Sequence, residues 1–396
     1  MTSACRFCGA QLEHVFADLG MSPLANSYLT PAQANGMEPF YPLRAFVCSR
    51  CLLVQLEEFE PPDHIFGDYA YFSSYSTSWL EHSRRYVDQM IDRFAFDEQS
   101  KVVELASNDG YLLQYFRERG APVLGIEPAA NVAQEAEKRG VPTLVRFFGR
   151  ETAQEIVADH AADLLVGNNV LAHVPDLNDF VAGMKVLLKP GGLITMEFPH
   201  LLRLIENNQF DTIYHEHFSY FSFSTARRVF ADHALKLWDV EELPTHGGSL
   251  RIYGAHADDS DRPESERALE LLKRERAAGL ETVETYRAFA SRVQEDKRDV
   301  LSFLIELKRQ GLAIAGYGAP AKGNTLLNYC GIGPDFVDYT VDLNPHKQGH
   351  LLPGSHIPIM APDELRRTKP DVVLILPWNL RDEISEQHAY IREWGG

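Results

Sequence analysis

With 396 residues, 45% of them hydrophobic, the chain is long enough for two or three domains with separate cores. A formal net charge of −18 excludes a nucleic acid polymer as partner, because phosphate-backbone binding rests on lysine and arginine displacing condensed counterions. No apolar run approaches the roughly 20 residues of a membrane span, and the first residues lack the basic start and apolar stretch of a secretory signal, so a reducing cytoplasm and unoxidised cysteines are expected.

The chain opens on two identical cysteine pairs, Cys5/Cys8 and Cys48/Cys51. Two residues between thiols let one tight turn present both sulfurs to a single ion, and two such turns complete a tetrahedral four-thiolate site. With all four positions taken by protein, the predicted zinc is structural and replaces a core too small to form alone. Two disulfides are the competing reading, disfavoured in a reducing compartment. Cys330 is left over as a buried thiol.

Between about residues 100 and 256, short β-branched runs alternate with amphipathic stretches, the pattern of a parallel sheet covered on both faces. Seven runs are predicted as strands, at 102–105, 123–126, 143–145, 164–166, 193–196, 235–238 and 250–253. The first leads into Ala106-Ser107-Asn108-Asp109-Gly110, at the carboxyl end of a strand where open α/β sheets bind nucleotides. Ala106 and Asn108 stand where glycine-rich turns have glycine. The second run ends in Glu127-Pro128, an acid about 20 residues on that suits ribose hydroxyls. No lysine or arginine in the first turn holds a pyrophosphate, which favours S-adenosylmethionine over a dinucleotide.

Several further motifs follow in order: Tyr69-Ala-Tyr71-Phe-Ser73-Ser74, Asn168-Asn169 to His173-Val-Pro175, Tyr214-His-Glu216-His217-Phe218, His246-Gly-Gly-Ser-Leu-Arg251, Gly316 to Thr325 and Pro353 to Pro358. With the paired cysteines and residues 104–110 they make the chain resemble, over nearly its whole length, the sugar C-methyltransferases of deoxysugar biosynthesis. The resemblance implies an α/β architecture: a class I, Rossmann-like methyltransferase domain with a small N-terminal zinc-binding domain and a C-terminal Rossmann-like domain. The boundaries are expected near residues 1–65, 66–260 and 261–396. It implies a cofactor pocket of Glu104, Asn108, Gly110 and Glu127, with Phe147, Phe148 and Asn169 near the adenine or methionine portions; Ala106 and Pro128 belong to the same two turns. One departure is that Trp394-Gly395-Gly396 stands where relatives continue into a final strand, which puts the last sheet edge and nucleotide contacts there in doubt.

Carbon methylation needs a carbon nucleophile, and in a sugar that is the carbon beside a ketone. A base must remove its proton and donors must meet the enolate oxygen. By resemblance His217 is the base, Glu216 its orienting neighbour or a ligand to a sugar hydroxyl, and Tyr214 a donor to the enolate. His173 supplies a further hydrogen bond or is the alternative base. Tyr71 closes over the substrate as a phenol donor, with Tyr69 as fallback and Ser73 on the same loop. Taken alone, His215 or His217 reads more readily as a structural residue than as a catalytic one, and a metal pair of the two on one strand face, lacking a third ligand, is the lesser alternative. Tyr69 and Tyr71 read equally as interdomain packing.

From residue 262 to about 310 a charged, Ala- and Leu-rich stretch predicts long connecting helices. A strand over 312–316 then enters the turn Tyr317 to Thr325, where glycines, a helix N-terminus and Lys322 suit phosphate; the glycine spacing is not that of a triphosphate-hydrolysing loop. Further strands are predicted at 341–345 and 372–376. His246 and Arg251 are candidates for the carrier's pyrophosphate, and a scaffold that touches no nucleotide is the alternative for this half. The expected substrate is a nucleotide-linked 4-keto-6-deoxysugar methylated at C3 by a monomer. O- or N-methyl transfer and noncatalytic nucleotide-sugar binding are the competing functions.

Overall fold

The computed structural model describes residues 3–61 and 72–396, and builds them around three sheets. The N-terminal strands are β1 (His14–Ser22), β2 (Tyr41–Val47) and β3 (Val54–Leu56). The central strands are β4 (Val102–Leu105), β5 (Val123–Ile126), β6 (Thr143–Leu144), β7 (Ala162–Asn168), β8 (Leu188–Pro199), β9 (Ser219–Tyr220), β10 (Leu235–Leu243) and β11 (Ser249–His256). The C-terminal strands are β12 (Ile314–Tyr317), β13 (Tyr339–Val341), β14 (Ile359–Met360) and β15 (Val372–Ile375).

All seven predicted central strands exist and share one sheet, ordered β10-β11-β8-β7-β4-β5-β6. The strands from β6 to β8 are parallel, and β11 and β10 continue the sheet antiparallel. Fully buried runs such as β4 and the apolar stretch of β8 follow from helices covering both faces, which leaves no solvated side to show a period of two. Chain order reverses between β4 and its neighbours β5 and β7, so their carboxyl ends splay apart and open the crevice where a ligand sits.

The N-terminal sheet does not close on itself. Its order is β1-β2-β3-β9, and β9 comes from the segment just after His217: Val54 pairs with Tyr220 and Gln55 with Ser219. The 27-residue helix Val283–Arg309 lays Tyr286 and Phe289 on Phe16 of β1, with the Phe16 and Phe289 rings stacked at 4.5 Å, and places Leu304 in the C-terminal core. The predicted connector thus packs on the zinc-binding region as well as bridging domains.

The C-terminal sheet is all parallel, in order β14-β13-β12-β15. Its β13 ends at Val341, not at Pro345 as expected, because Asp342 turns to accept the Ala319 N–H at 2.7 Å and Asn344 folds back on the Asp342 carboxylate. That aspartate ties β13 to the turn after β12, which enters the helix Ala321–Cys330. No described helix is long and apolar enough to cross a membrane.

Candidate active site

A cleft of about 800 Å³ lies where the three regions meet. Its first wall is the turn after β4. Ala106 and Asn108 adopt φ of 55° and 49°, the left-handed backbone that glycine takes without strain. The missing glycines therefore do not change the turn. Glu127, after β5, accepts the Asn108 N–H on one oxygen and the Ala129 N–H on the other, both at 2.9 Å. Held at two points, the carboxylate keeps its remaining lone pairs for a ligand, and burial pushes its pKa up. Pro128, Phe147, Phe148 and Asn169 continue this wall, with Phe148 edge-on to Phe180 at 5.3 Å.

The second wall is the segment from Tyr214 to His217, a turn and not the strand that the metal-pair reading of His215 and His217 required: the His217 N–H donates to the Tyr214 carbonyl at 2.9 Å. His215 therefore leaves toward the Pro42 carbonyl and does not share a face with His217. The four cysteines are the only metal-binding cluster among the described residues. His217 is fixed at both nitrogens. Nδ1 lies 3.0 Å from the Thr212 carbonyl, which accepts a proton only, so Nδ1 carries the hydrogen and Nε2 carries the lone pair, taking the Tyr214 hydroxyl at 2.8 Å. Burial and the neighbouring His173 hold the ring far below its ordinary pKa, so it is neutral near pH 7. The His173 ring stands edge-on at 4.7 Å, pushed down to about 4 by burial.

Glu216 does not orient His217. Its carboxylate receives the Asn26 side-chain N–H at 2.6 Å, and burial raises it to about 7. Ser73 lines the cleft, its N–H bonded to the Asn108 side chain at 2.9 Å. Tyr69 and Tyr71 lie outside the described residues. His246 faces the cleft beside Asn169 at 3.1 Å, and burial takes it to about 4, so it meets a ligand as a neutral ring and not as a cation for pyrophosphate.

From the C-terminal region Lys322 reaches the cleft, donating to Asn379 at 2.7 Å and lying 4.5 Å from the Trp378 ring centroid. Lys347 joins it, donating to the Ala319 carbonyl at 2.9 Å. Lys347, Asn26 and Tyr28 are cleft residues that sequence reasoning missed. Tyr28 donates to the Ala319 carbonyl at 2.7 Å, and the Asn324 side chain donates to the Ala25 carbonyl at 2.6 Å, so residues 24–28 are pinned between the Tyr214–His217 turn and the C-terminal domain. Nothing local in that segment signals a ligand.

Three expected site residues stand behind the cleft and not on it. Arg251 is 3% exposed and spends its guanidinium on Glu197 at 2.6 Å and Glu241 at 3.0 Å, so it has no donor to offer a pyrophosphate. Gly110 turns the chain at φ 74°, where a Cβ would meet Val141 at 3.0 Å; it serves packing beneath the turn. Glu104 is buried at the end of β4 beside Tyr111, its pKa well above the usual range through burial, and makes no hydrogen bond of good geometry among the described residues.

Three family models tile the chain: a zinc binding domain over residues 5–66, a methyltransferase domain over 79–240 and a C-methyltransferase C-terminal domain over 244–396. The C-methyltransferase NovU of Streptomyces niveus is 38% identical across 99% of this chain and 93% of its own length. The chain belongs to this C-methyltransferase family. A ubiquinone biosynthesis O-methyltransferase of Rhodopseudomonas palustris (strain BisB18) is 26% identical over 24% of the chain and 38% of its own length. Among solved structures, the PH0226 protein of Pyrococcus horikoshii OT3 aligns with 50% of the chain and 99% of its own at a TM-score of 0.38 and 14% identity.

The protein is thus an S-adenosylmethionine-dependent C-methyltransferase of class I fold, and the readings as an O- or N-methyltransferase or a noncatalytic binder fall. The cofactor wall fits that group. Beyond Glu127, the Asn168 amide lines the cleft, buried and with no hydrogen bond of good geometry among the described residues, an arrangement that a polar ligand relieves. The cysteines fit zinc. Their ligand atoms all lie within 4.8 Å of one another, with Cys5 to Cys51 and Cys8 to Cys48 both at 3.5 Å, near the roughly 3.8 Å edge of a zinc-thiolate tetrahedron. All five cysteines are free thiols, which removes the disulfide reading. The C-terminal family model starts at residue 244, yet β11 belongs to the central sheet, so these two domains share a strand across their sequence border.

Proposed function

We propose that this methyltransferase acts on C3 of a nucleotide-linked 4-keto-6-deoxysugar, with His217 as the base that makes the enolate. One observation carries the reading: a neutral histidine whose Nδ1 is anchored on a carbonyl and whose Nε2 lone pair is capped by the Tyr214 hydroxyl at the ligand cleft. When Tyr214 turns its hydrogen to the substrate carbonyl, the same movement uncovers Nε2 for the proton on the adjacent carbon. Donor and base are thus supplied together, and the oxygen charge grows beside a preplaced donor. His173 backs the pair, and Glu216, held by Asn26, is placed for a sugar hydroxyl. S-adenosylmethionine supplies an electrophilic methyl group on a sulfonium. Lys322 and Lys347, across the cleft from the Glu127 turn, suit the carrier's diphosphate, which joins the C-terminal domain to substrate binding. We place the enzyme in the reducing cytoplasm, as a monomer.

Methyl-labelled S-adenosylmethionine and a panel of nucleotide-linked 4-keto-6-deoxysugars test this. Label on C3, with exchange of the C3 proton in deuterated water, is the expected result. Transfer to a different carbon overturns the C3 assignment, and full turnover by H217N overturns the base.

A further inference from the structure

Arg6 sits inside the metal knuckle, between Cys5 and Cys8, yet its side chain leaves the knuckle and runs behind the two histidines. One guanidinium nitrogen donates to the Pro175 carbonyl at 2.7 Å, two residues beyond His173, and the other donates to the Leu56 carbonyl in β3. The guanidinium carbon lies 5.3 Å from the centroid of the Phe218 ring, the residue after His217. Leu56 itself donates to the Phe218 carbonyl at 3.0 Å, so one side chain touches β3, the His173 loop and the His217 turn. The backbone of Arg6 is held as well: its N–H donates to Gln55 at 2.8 Å, and the Gln55 amide donates to Cys5 Sγ at 3.2 Å. No described carboxylate forms a direct ion pair with Arg6; Glu58 and Asp176 act on its charge from a distance.

We propose that Arg6 is a positioning residue for methyl transfer: by bridging Pro175 and Phe218 it fixes, from behind the cleft, the spacing of the His173 and His217 rings. Those loops follow β7 and precede β9; among the described residues no strand ladder joins them, and the direct tie between them is the hydrogen bond of the His173 ring to the Glu216 backbone, which leaves the loop ends at Pro175 and Phe218 to Arg6. A planar fork that donates in two directions while stacking on a ring holds such a junction; a lysine, with one point of charge, does not. The knuckle thereby becomes part of the reaction geometry as well as a fold staple. The inference rests on the proposed catalytic role of His217.

R6K is the test, with kcat, KM, cofactor Kd, zinc content and substrate-proton exchange measured on the full chain. The expected result is one zinc per chain, cofactor Kd within twofold of the parent, KM little changed, and kcat and proton exchange falling together by about 10- to 100-fold, as a displaced catalytic group produces. F218L, which removes only the stacking face, falls in the same sense by less. N178A loosens the knuckle backbone while leaving the guanidinium contacts of Arg6 in place, since the Asn178 amide donates to the Phe7 carbonyl at 2.9 Å and to the Arg6 carbonyl at 3.3 Å, and it stays within twofold in kcat. Parent-like kcat in R6K, loss of its zinc or fold, or an equal loss in N178A overturns the proposal. H217N run alongside separates the two ideas: a dead H217N with an active R6K sinks only the role of Arg6, and an active H217N sinks the base.

Discussion

The cofactor wall of the cleft takes its residues from turns at the carboxyl ends of one sheet, Ala106 and Asn108 after β4, Glu127 after β5 and Asn169 after β7, each one to three residues beyond a strand. The other wall, proposed for the methyl acceptor, takes Asn26 and Tyr28 from the N-terminal region, Tyr214, Glu216 and His217 from a central turn, and Lys322 and Lys347 from the C-terminal region. The first wall follows from a single sheet and survives changes elsewhere; the second exists only when three regions dock. On the proposed mechanism, carbon methylation places its harder demands, a dry base and an oriented ketone, on the second.

Removing the metal gives the largest break. C48S, or a chelator, withdraws apparent binding energy on the order of 10 kcal/mol from folding. The N-terminal sheet then unfolds and turnover disappears, while cofactor binding by the central domain holds within several-fold; urea unfolding and calorimetry read the two effects. A cofactor affinity lost together with turnover would show that the walls are not separable.

H217N acts on the acceptor wall alone and lowers kcat by about 10³-fold, within the range of a positioned general base, with cofactor Kd unchanged. E127Q does the converse. Losing the charged acceptor weakens cofactor binding by about 1.5–3 kcal/mol, roughly 10- to 100-fold, and leaves kcat at saturating cofactor within a few-fold. Initial rates over a cofactor series distinguish these outcomes.

E216Q gives the smallest shift, in stability. The Glu216 carboxyl moves from 4.5 to about 7 on burial, so the folded chain binds this proton more tightly than the unfolded chain. That contribution is complete below the lower value and is lost as pH climbs through the upper one. Glutamine keeps an acceptor for Asn26 without the buried charge, so E216Q is matched with the parent near pH 4 and more stable by on the order of 2–3 kcal/mol at pH 8. Urea denaturation at the two pH values checks it; a penalty at pH 8 would mean that a cation compensates the charge.

Much of the cofactor wall was legible because its signals are local. A β-branched run of four ends where the ladder ends, and 102–105 and 123–126 match β4 and β5 end for end. The substitution of Ala106 and Asn108 for glycine weakened the motif while the backbone kept the glycine conformation. Arg251 was misplaced for a related reason: a basic residue next to glycines reads as an anion site, and nothing nearby in sequence reveals Glu197 and Glu241 waiting across the sheet. Asn26 meets Glu216 across 190 positions of chain, and no periodicity or motif reports such a meeting.

By itself the sequence determined the cysteine quartet, the seven central strands and the acid that ends the second of them, since metal-ligand spacing, strand periodicity and turn position act over a few residues. Tertiary structure alone decided which histidine nitrogen holds a lone pair, which carboxyl is pushed up to about 7, and which arginine reaches the turn that holds His217. Those properties depend on burial and on donors that arrive from distant parts of the chain, and both come into being only when the three sheets pack.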